Sequence, residues 1–171
     1  LGPDSRVNSV VWDCSSKRFA EPSSISTNHD YVEVLASGSE DKTVCLWNAK
    51  SGTLLQRLEN HETCVESISF SNDGCLLASG CYDGKVYVWL RSLSSHSAQS
   101  QCFSTAGSRR ASITLETVHQ TSETYAVLYC FQGHLSHVNS IAFSPYANNT
   151  FVSGGNDGLM KIWKLSSLGD G

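Results

Sequence analysis

Leu77-Ala78-Ser79-Gly80-Cys81-Tyr82-Asp83-Gly84-Lys85-Val86-Tyr87-Val88-Trp89 decides how this chain is organised, because the pattern occurs three times. Its counterparts are Leu35-Ala36-Ser37-Gly38-Ser39-Glu40-Asp41-Lys42-Thr43-Val44-Cys45-Leu46-Trp47 and Phe151-Val152-Ser153-Gly154-Gly155-Asn156-Asp157-Gly158-Leu159-Met160-Lys161-Ile162-Trp163. Ser, Gly, Asp and Trp recur at offsets of 42 and 74 residues, the longer being one repeat plus an insertion. Asp83-Gly84 and Asp157-Gly158 signal tight turns between two short apolar runs, since Gly accepts a positive φ without steric penalty. Asp41-Lys42 is a weaker version of the same signal.

An upstream half repeats as well, in Val7-Asn8-Ser9-Val10-Val11-Trp12, Val65-Glu66-Ser67-Ile68-Ser69-Phe70 and Val138-Asn139-Ser140-Ile141-Ala142-Phe143. Val65 to Phe70 alternates apolar and polar residues, the period of a strand with one buried face. Ser51-Gly52 then turns the chain into Leu54 to Leu58 as a fourth strand. Each unit therefore reads as a four-stranded antiparallel meander.

Composition narrows the function classes. The chain has 171 residues and a net charge of -4, which argues against a phosphate grip spread over the whole surface, though not against a local basic patch. No apolar run approaches the roughly 18 residues that a membrane-spanning helix needs. Leu1-Gly2-Pro3-Asp4 has neither the basic start nor the apolar stretch of a secretory signal. The seven cysteines contain no C-x-x-C pair, so they read as reduced thiols of an intracellular protein, cytoplasmic or nuclear. No metal or cofactor site is expected: Cys75 and Cys81 flank an apolar strand, and His134-Leu135-Ser136-His137 lacks a third ligand. Met160 is the only methionine, which reads as a piece of something longer.

The repeat resembles the WD-repeat family, whose units are the blades of a β-propeller. Gly133-His134 matches the family's Gly-His signature and Asn60-His61 nearly does, while the Asp after the third-strand Trp is missing from Trp47-Asn48, Trp89-Leu90 and Trp163-Lys164. The resemblance implies an all-β propeller fragment of two four-stranded antiparallel blades and a three-stranded third, open rather than closed. Blade one spans about residues 4–58, blade two about 61–131 with an insertion at 91–126, and blade three about 134–165. Three blades fall short of the roughly four that closure requires.

His61, Ser79 and Asp83 invite reading as a hydrolytic triad, as do His134, Ser153 and Asp157. A catalytic constellation occurs once, beside an oxyanion site, whereas these recur with the repeat. The resemblance implies instead two buried hydrogen-bond chains, His61-Ser79-Asp83-Trp89 and His134-Ser153-Asp157-Trp163. Blade one should keep only Ser37, Asp41 and Trp47, because Pro3 stands where His would be. No catalytic residue is expected.

The family's partner contacts map onto Arg6, Asn8 and Glu40 in blade one; Cys64, Glu66 and Tyr82 in blade two; and His137, Asn139 and Asn156 in blade three. These are docking residues for proteins or peptides, or ordinary surface; Tyr82 is the best single anchor. The remaining blades of a larger propeller are implied partners too. An RNA-binding propeller is the alternative, resting on Tyr82 with Lys85 and Arg6. A non-catalytic domain of a multidomain enzyme or a ubiquitin ligase adaptor is a third possibility. Residues 13–30 and 91–126 are Ser/Thr-rich insertions expected to be exposed, and Ser112 after Arg109-Arg110 fits a basophilic kinase site.

Overall fold

The computed structural model describes residues 5–14, 19–20, 31–92 and 124–166. Within them β1 (Val7–Trp12) is followed by the two-residue strands β2 (Phe19–Ala20) and β3 (Tyr31–Val32), then by β4 (Val34–Ser39), β5 (Val44–Asn48) and β6 (Leu54–Leu58). Blade two contains β7 (Val65–Phe70), β8 (Leu76–Cys81), β9 (Lys85–Ser92) and β10 (Thr124–Gln132). Blade three contains β11 (Val138–Phe143), β12 (Thr150–Gly155) and β13 (Met160–Lys164). The three sheets run β1-β4-β5-β6, β7-β8-β9-β10 and β11-β12-β13, all antiparallel, and among the described residues β2 pairs with β3 alone. The fold is all-β, with sheets of four, four and three strands that do not close. No described helix is long and apolar enough to cross a membrane.

Two differences from the sequence reading concern the insertions. β9 and β10 pair as far as Thr124↔Ser92 and Tyr125↔Arg91, so the interruption of blade two begins later and ends sooner than 91–126. Alternating apolar residues through Tyr125 and Val127 extend the ladder, a signal that the Ser/Thr-rich composition obscured. The 13–30 connection contributes Phe19–Ala20 to a short ribbon rather than running wholly as loop. Ser112 lies outside the described residues.

Burial explains why the sheets stack. Val34, Ala36, Val44, Leu46 and Leu58 of blade one pack on Val65, Ile68, Leu77 and Trp89 of blade two. Ala78, Val86 and Val88 pack on Val138, Ile141 and Phe151 of blade three. Polar side chains stitch the same seams: Ser9 Oγ accepts from the Ile68 N–H (3.2 Å), and Ser67 Oγ accepts from the Ile141 N–H (2.9 Å). Gln56 donates to the Tyr125 carbonyl and accepts from its N–H, so one amide imitates a strand pairing between β6 and β10. At the strand ends where the insertions leave, Asp13 and Arg91 pair at 3.5 Å, both almost wholly buried, and join blade one to blade two.

Candidate functional site

The residues expected to meet partners gather at the other strand ends, beside the β4–β5, β8–β9 and β12–β13 turns. A backbone bond recurs there in every blade: Glu40 N–H to the Arg6 carbonyl (3.0 Å), Tyr82 N–H to Cys64 (3.0 Å), and Asn156 N–H to His137 (2.8 Å). The register then slips between Val7 and Ser9, between Val65 and Ser67, and between Val138 and Ser140. Asn8, Glu66 and Asn139 are thus the extra residues of three β-bulges, a device that re-aims a side chain.

Individual environments differ. Arg6 and Glu40 form a long, exposed pair at 3.9 Å. Asn8 is engaged within the fold, its Nδ2 donating to the Val65 carbonyl (3.1 Å). Tyr82 is half exposed and lies against His137 with ring centroids 3.5 Å apart, across the seam between blades two and three. Leu135, 90% exposed, sits two residues before His137 and was not singled out from the sequence. Its only signal was an apolar residue inside a turn segment. Cys64 and Glu66 are half-buried, and Asn139 and Asn156 are exposed.

Blade three holds the full polar chain. Trp163 Nε1 donates to Ser153 Oγ (2.8 Å), Ser153 Oγ meets His134 Nε2 (2.7 Å), and His134 Nδ1 meets Asp157 Oδ1 (2.9 Å). With Ser153 accepting from the indole, its own proton goes to Nε2, and the imidazole proton sits on Nδ1 facing the carboxylate. Burial pushes the Asp157 carboxyl up, but His134 and the N–H groups of Leu135 and Leu159 outweigh it and hold the pKa at about 2. His134 and Ser153 are each only 1% exposed, so this serine cannot reach a substrate.

Blade two corrects the expected chain. Trp89 Nε1 donates to Ser79 Oγ (2.9 Å) and Ser79 meets His61 Nε2 (2.8 Å), but His61 Nδ1 is buried without a well-formed hydrogen bond and does not reach Asp83, the backbone carbonyl of Lys42 being its one weak support. Asp83 instead caps the Lys85 N–H (3.1 Å) and lies 3.7 Å from the Lys85 ammonium. One side chain explains the difference. A Cβ added at Gly155 would lie 2.3 Å from His134 Nδ1 and 2.7 Å from Asp157 Oδ1. Cys81 occupies that repeat position in blade two and excludes the His–Asp contact. In blade one Trp47 reaches Ser37 (2.9 Å), whereas Asp41 bonds the backbone and hydroxyl of Thr43 and leaves Oδ2 buried and unpaired. Lys42 there takes φ 68°, the left-handed value that Gly84 and Gly158 supply elsewhere.

Burial lowers the His61 pKa from 6.5 to about 4, with the Lys42 carbonyl and the Asp83 charge opposing only weakly. A histidine that is neutral when folded and titrates near 6.5 when unfolded stabilises fully above 6.5. Its contribution falls as pH drops toward about 4, because the unfolded chain takes up the proton first. Urea midpoints across that window should fall with pH, and Cys81→Gly should flatten the slope by letting His61 reach Asp83. An unchanged slope in Cys81→Gly would break the steric account.

Among the described residues no three His, Cys, Asp or Glu side chains are grouped to hold a metal, and no disulfide joins two of the cysteines there. The sequence model of the family described as WD domain, G-beta repeat matches residues 1–48, 52–89 and 125–164. WD repeat-containing protein slp1 of Schizosaccharomyces pombe is 31% identical over 141 residues, covering 74% of this chain and 28% of that protein. Protein transport protein sec13 of Aspergillus fumigatus is 27% identical, covering 78% of this chain and 58% of its own length. A chain in the crystal structure of a mitotic checkpoint complex superposes with a TM-score of 0.59 at 20% identity, over 98% of this chain and 38% of that one. The chain therefore spans less than two thirds of the length of each of these proteins. The family consists generally of non-catalytic interaction scaffolds, and this chain belongs to it as a run of three WD repeats.

Proposed function

We propose that the chain is a non-catalytic, intracellular scaffold that docks peptides or protein partners on the rim formed by Arg6, Glu40, Cys64, Glu66, Tyr82, His137, Asn139 and Asn156. The observation that carries this reading is the Tyr82–His137 ring pair, half exposed on a rigid seam with Leu135 beside it. Aromatic anchors of low conformational entropy dominate interface energetics. The buried His134–Ser153–Asp157–Trp163 chain and its shortened versions serve architecture in this reading, holding the turns that carry the rim. The scaffold works within a larger assembly, alongside the further blades of its propeller.

RNA binding is the weaker reading because the cations near the rim are already matched. Lys85 bonds the Glu62 carboxylate and lies near Asp83, and Arg6 faces Glu40. Selection from a displayed random-peptide library, followed by titration of the selected peptide, tests the scaffold. Tyr82→Ala should weaken binding about tenfold or more, with little dependence on salt. An unchanged affinity removes Tyr82 as the anchor. Binding of an oligonucleotide instead, falling by about 10³ or more between 50 and 200 mM salt, would favour RNA.

A further inference from the structure

At the rim, the two seams between blades differ in one side chain. Where blade one meets blade two, the bulge residue Asn8 donates an Nδ2–H to the Val65 carbonyl (3.1 Å). Where blade two meets blade three, the repeat puts Glu66 in the place of Asn8 and Val138 in the place of Val65. An ionised carboxylate has no proton to donate. The second seam therefore lacks this stitch and offers acceptor oxygens instead. Glu66 is half-buried, and among the described residues no hydrogen bond or ion pair engages its carboxylate.

Tyr82 stands at the same seam, its N–H bonded to the Cys64 carbonyl two residues before Glu66. Its ring leans on His137, with 3.5 Å between centroids and 34° between planes, and half of the side chain stays exposed. The face of an aromatic ring carries the negative end of its quadrupole and attracts cations. The charges around it have the same sign. Glu62, Glu66 and Asp83 are carboxylates, and Lys85 is the ammonium among them, bonded to Glu62 and 3.7 Å from Asp83. Lys161 is engaged elsewhere, by the Gly133 carbonyl. Negative charge is left in excess beside an open aromatic face.

We propose that this sector receives an arginine side chain of the partner protein, with the guanidinium stacked on the open part of the Tyr82 ring and donating to Glu66. The aliphatic stem then crosses the exposed Leu135. The inference rests on the rim being a docking surface and adds the chemistry that the partner brings. Arginine fits better than lysine, because its planar, weakly hydrated fork can stack on a ring and donate several N–H groups to a carboxylate at once.

Gly/Ser heptapeptides with arginine, lysine or citrulline at the centre are the probes, titrated into the full chain and followed by the NMR signals of the Tyr82 and His137 rings. The arginine peptide should bind with a Kd on the order of 1 mM, the lysine peptide about threefold or more weaker, and the uncharged citrulline peptide about tenfold or more weaker. Glu66→Gln keeps the shape of the side chain and should weaken the arginine peptide about fivefold or more. Glu33→Gln makes the same charge change on an exposed residue before β4, at the end of the strands away from the rim, and should leave binding as it was. Dispersed spectra confirm that each variant is folded. The arginine site is overturned if that peptide moves no rim signal at about 10 mM, if citrulline or lysine binds as well, or if Glu66→Gln acts no more than Glu33→Gln. Peptides selected from the displayed library separate this failure from that of the scaffold. Selected peptides that need Tyr82 but carry no arginine overturn the arginine site and leave the rim standing, whereas selection of none that touches the rim overturns both.

Discussion

Replacing Gly80 by valine should unfold the protein at markedly lower urea, with a loss of about 3 kcal/mol, while the same change at Gly154, where a Cβ would have nothing within 4 Å, leaves the midpoint where it was. Both glycines follow the repeat's serine, and neither has the positive φ that would make any side chain strained. What differs is the neighbour. At Gly80 the new Cβ would sit 2.5 Å from a Val138 methyl and 2.7 Å from its Cβ, far inside contact distance. Val138 is fully buried and cannot swing away, so blade three must move off blade two. That movement stretches the Ile141–Ser67 and Phe143–Ser69 hydrogen bonds as well, which puts the cost at the upper end of overpacking. Urea unfolding of both variants is the measurement. Equal loss at the two sites would mean that the glycines serve backbone conformation and not the seam.

That comparison shows what was legible in the sequence. Three copies of Ser-Gly-x-x-Asp and their upstream Val-x-Ser halves gave the strands, the order within each sheet and the open third blade, because strand period and turn chemistry are local properties. The partner of each polar group is not local. His61 and His134 look equivalent in sequence, yet only His134 reaches its aspartate, because Gly155 leaves room that Cys81 fills. Asn8 matches a contact position, yet its amide is taken by Val65 across the seam. Ser9 and Ser67 read as ordinary polar residues of half-buried strands; their bonds to the next blade depend on stacking that no periodicity reports.

Trp89→Ala should be more damaging than Trp47→Ala or Trp163→Ala, although the three tryptophans hold the same repeat position and the same serine bond. Trp89 is 1% exposed, with its ring near His61 at 5.2 Å and Tyr87 at 6.0 Å. Trp47 and Trp163 are only half-buried; Trp47 borders an open apolar hollow shared with Val7, Val10 and Leu35. Deleting a fully buried indole loses transfer energy and leaves a cavity, about 3–5 kcal/mol, against a total stability of about 5–15 kcal/mol for a domain. The half-buried pair should lose less, since part of each ring already meets solvent. Ser79 keeps His61 as a partner in Trp89→Ala, so the loss is one of packing more than of an orphaned hydroxyl. Trp89→Phe separates the two contributions: it restores most of the ring volume without the N–H and should recover more than half of the loss. Chemical denaturation of the four variants ranks them, and a Trp89→Ala loss no greater than that of Trp163→Ala would show that the central blade is not the stability-bearing one.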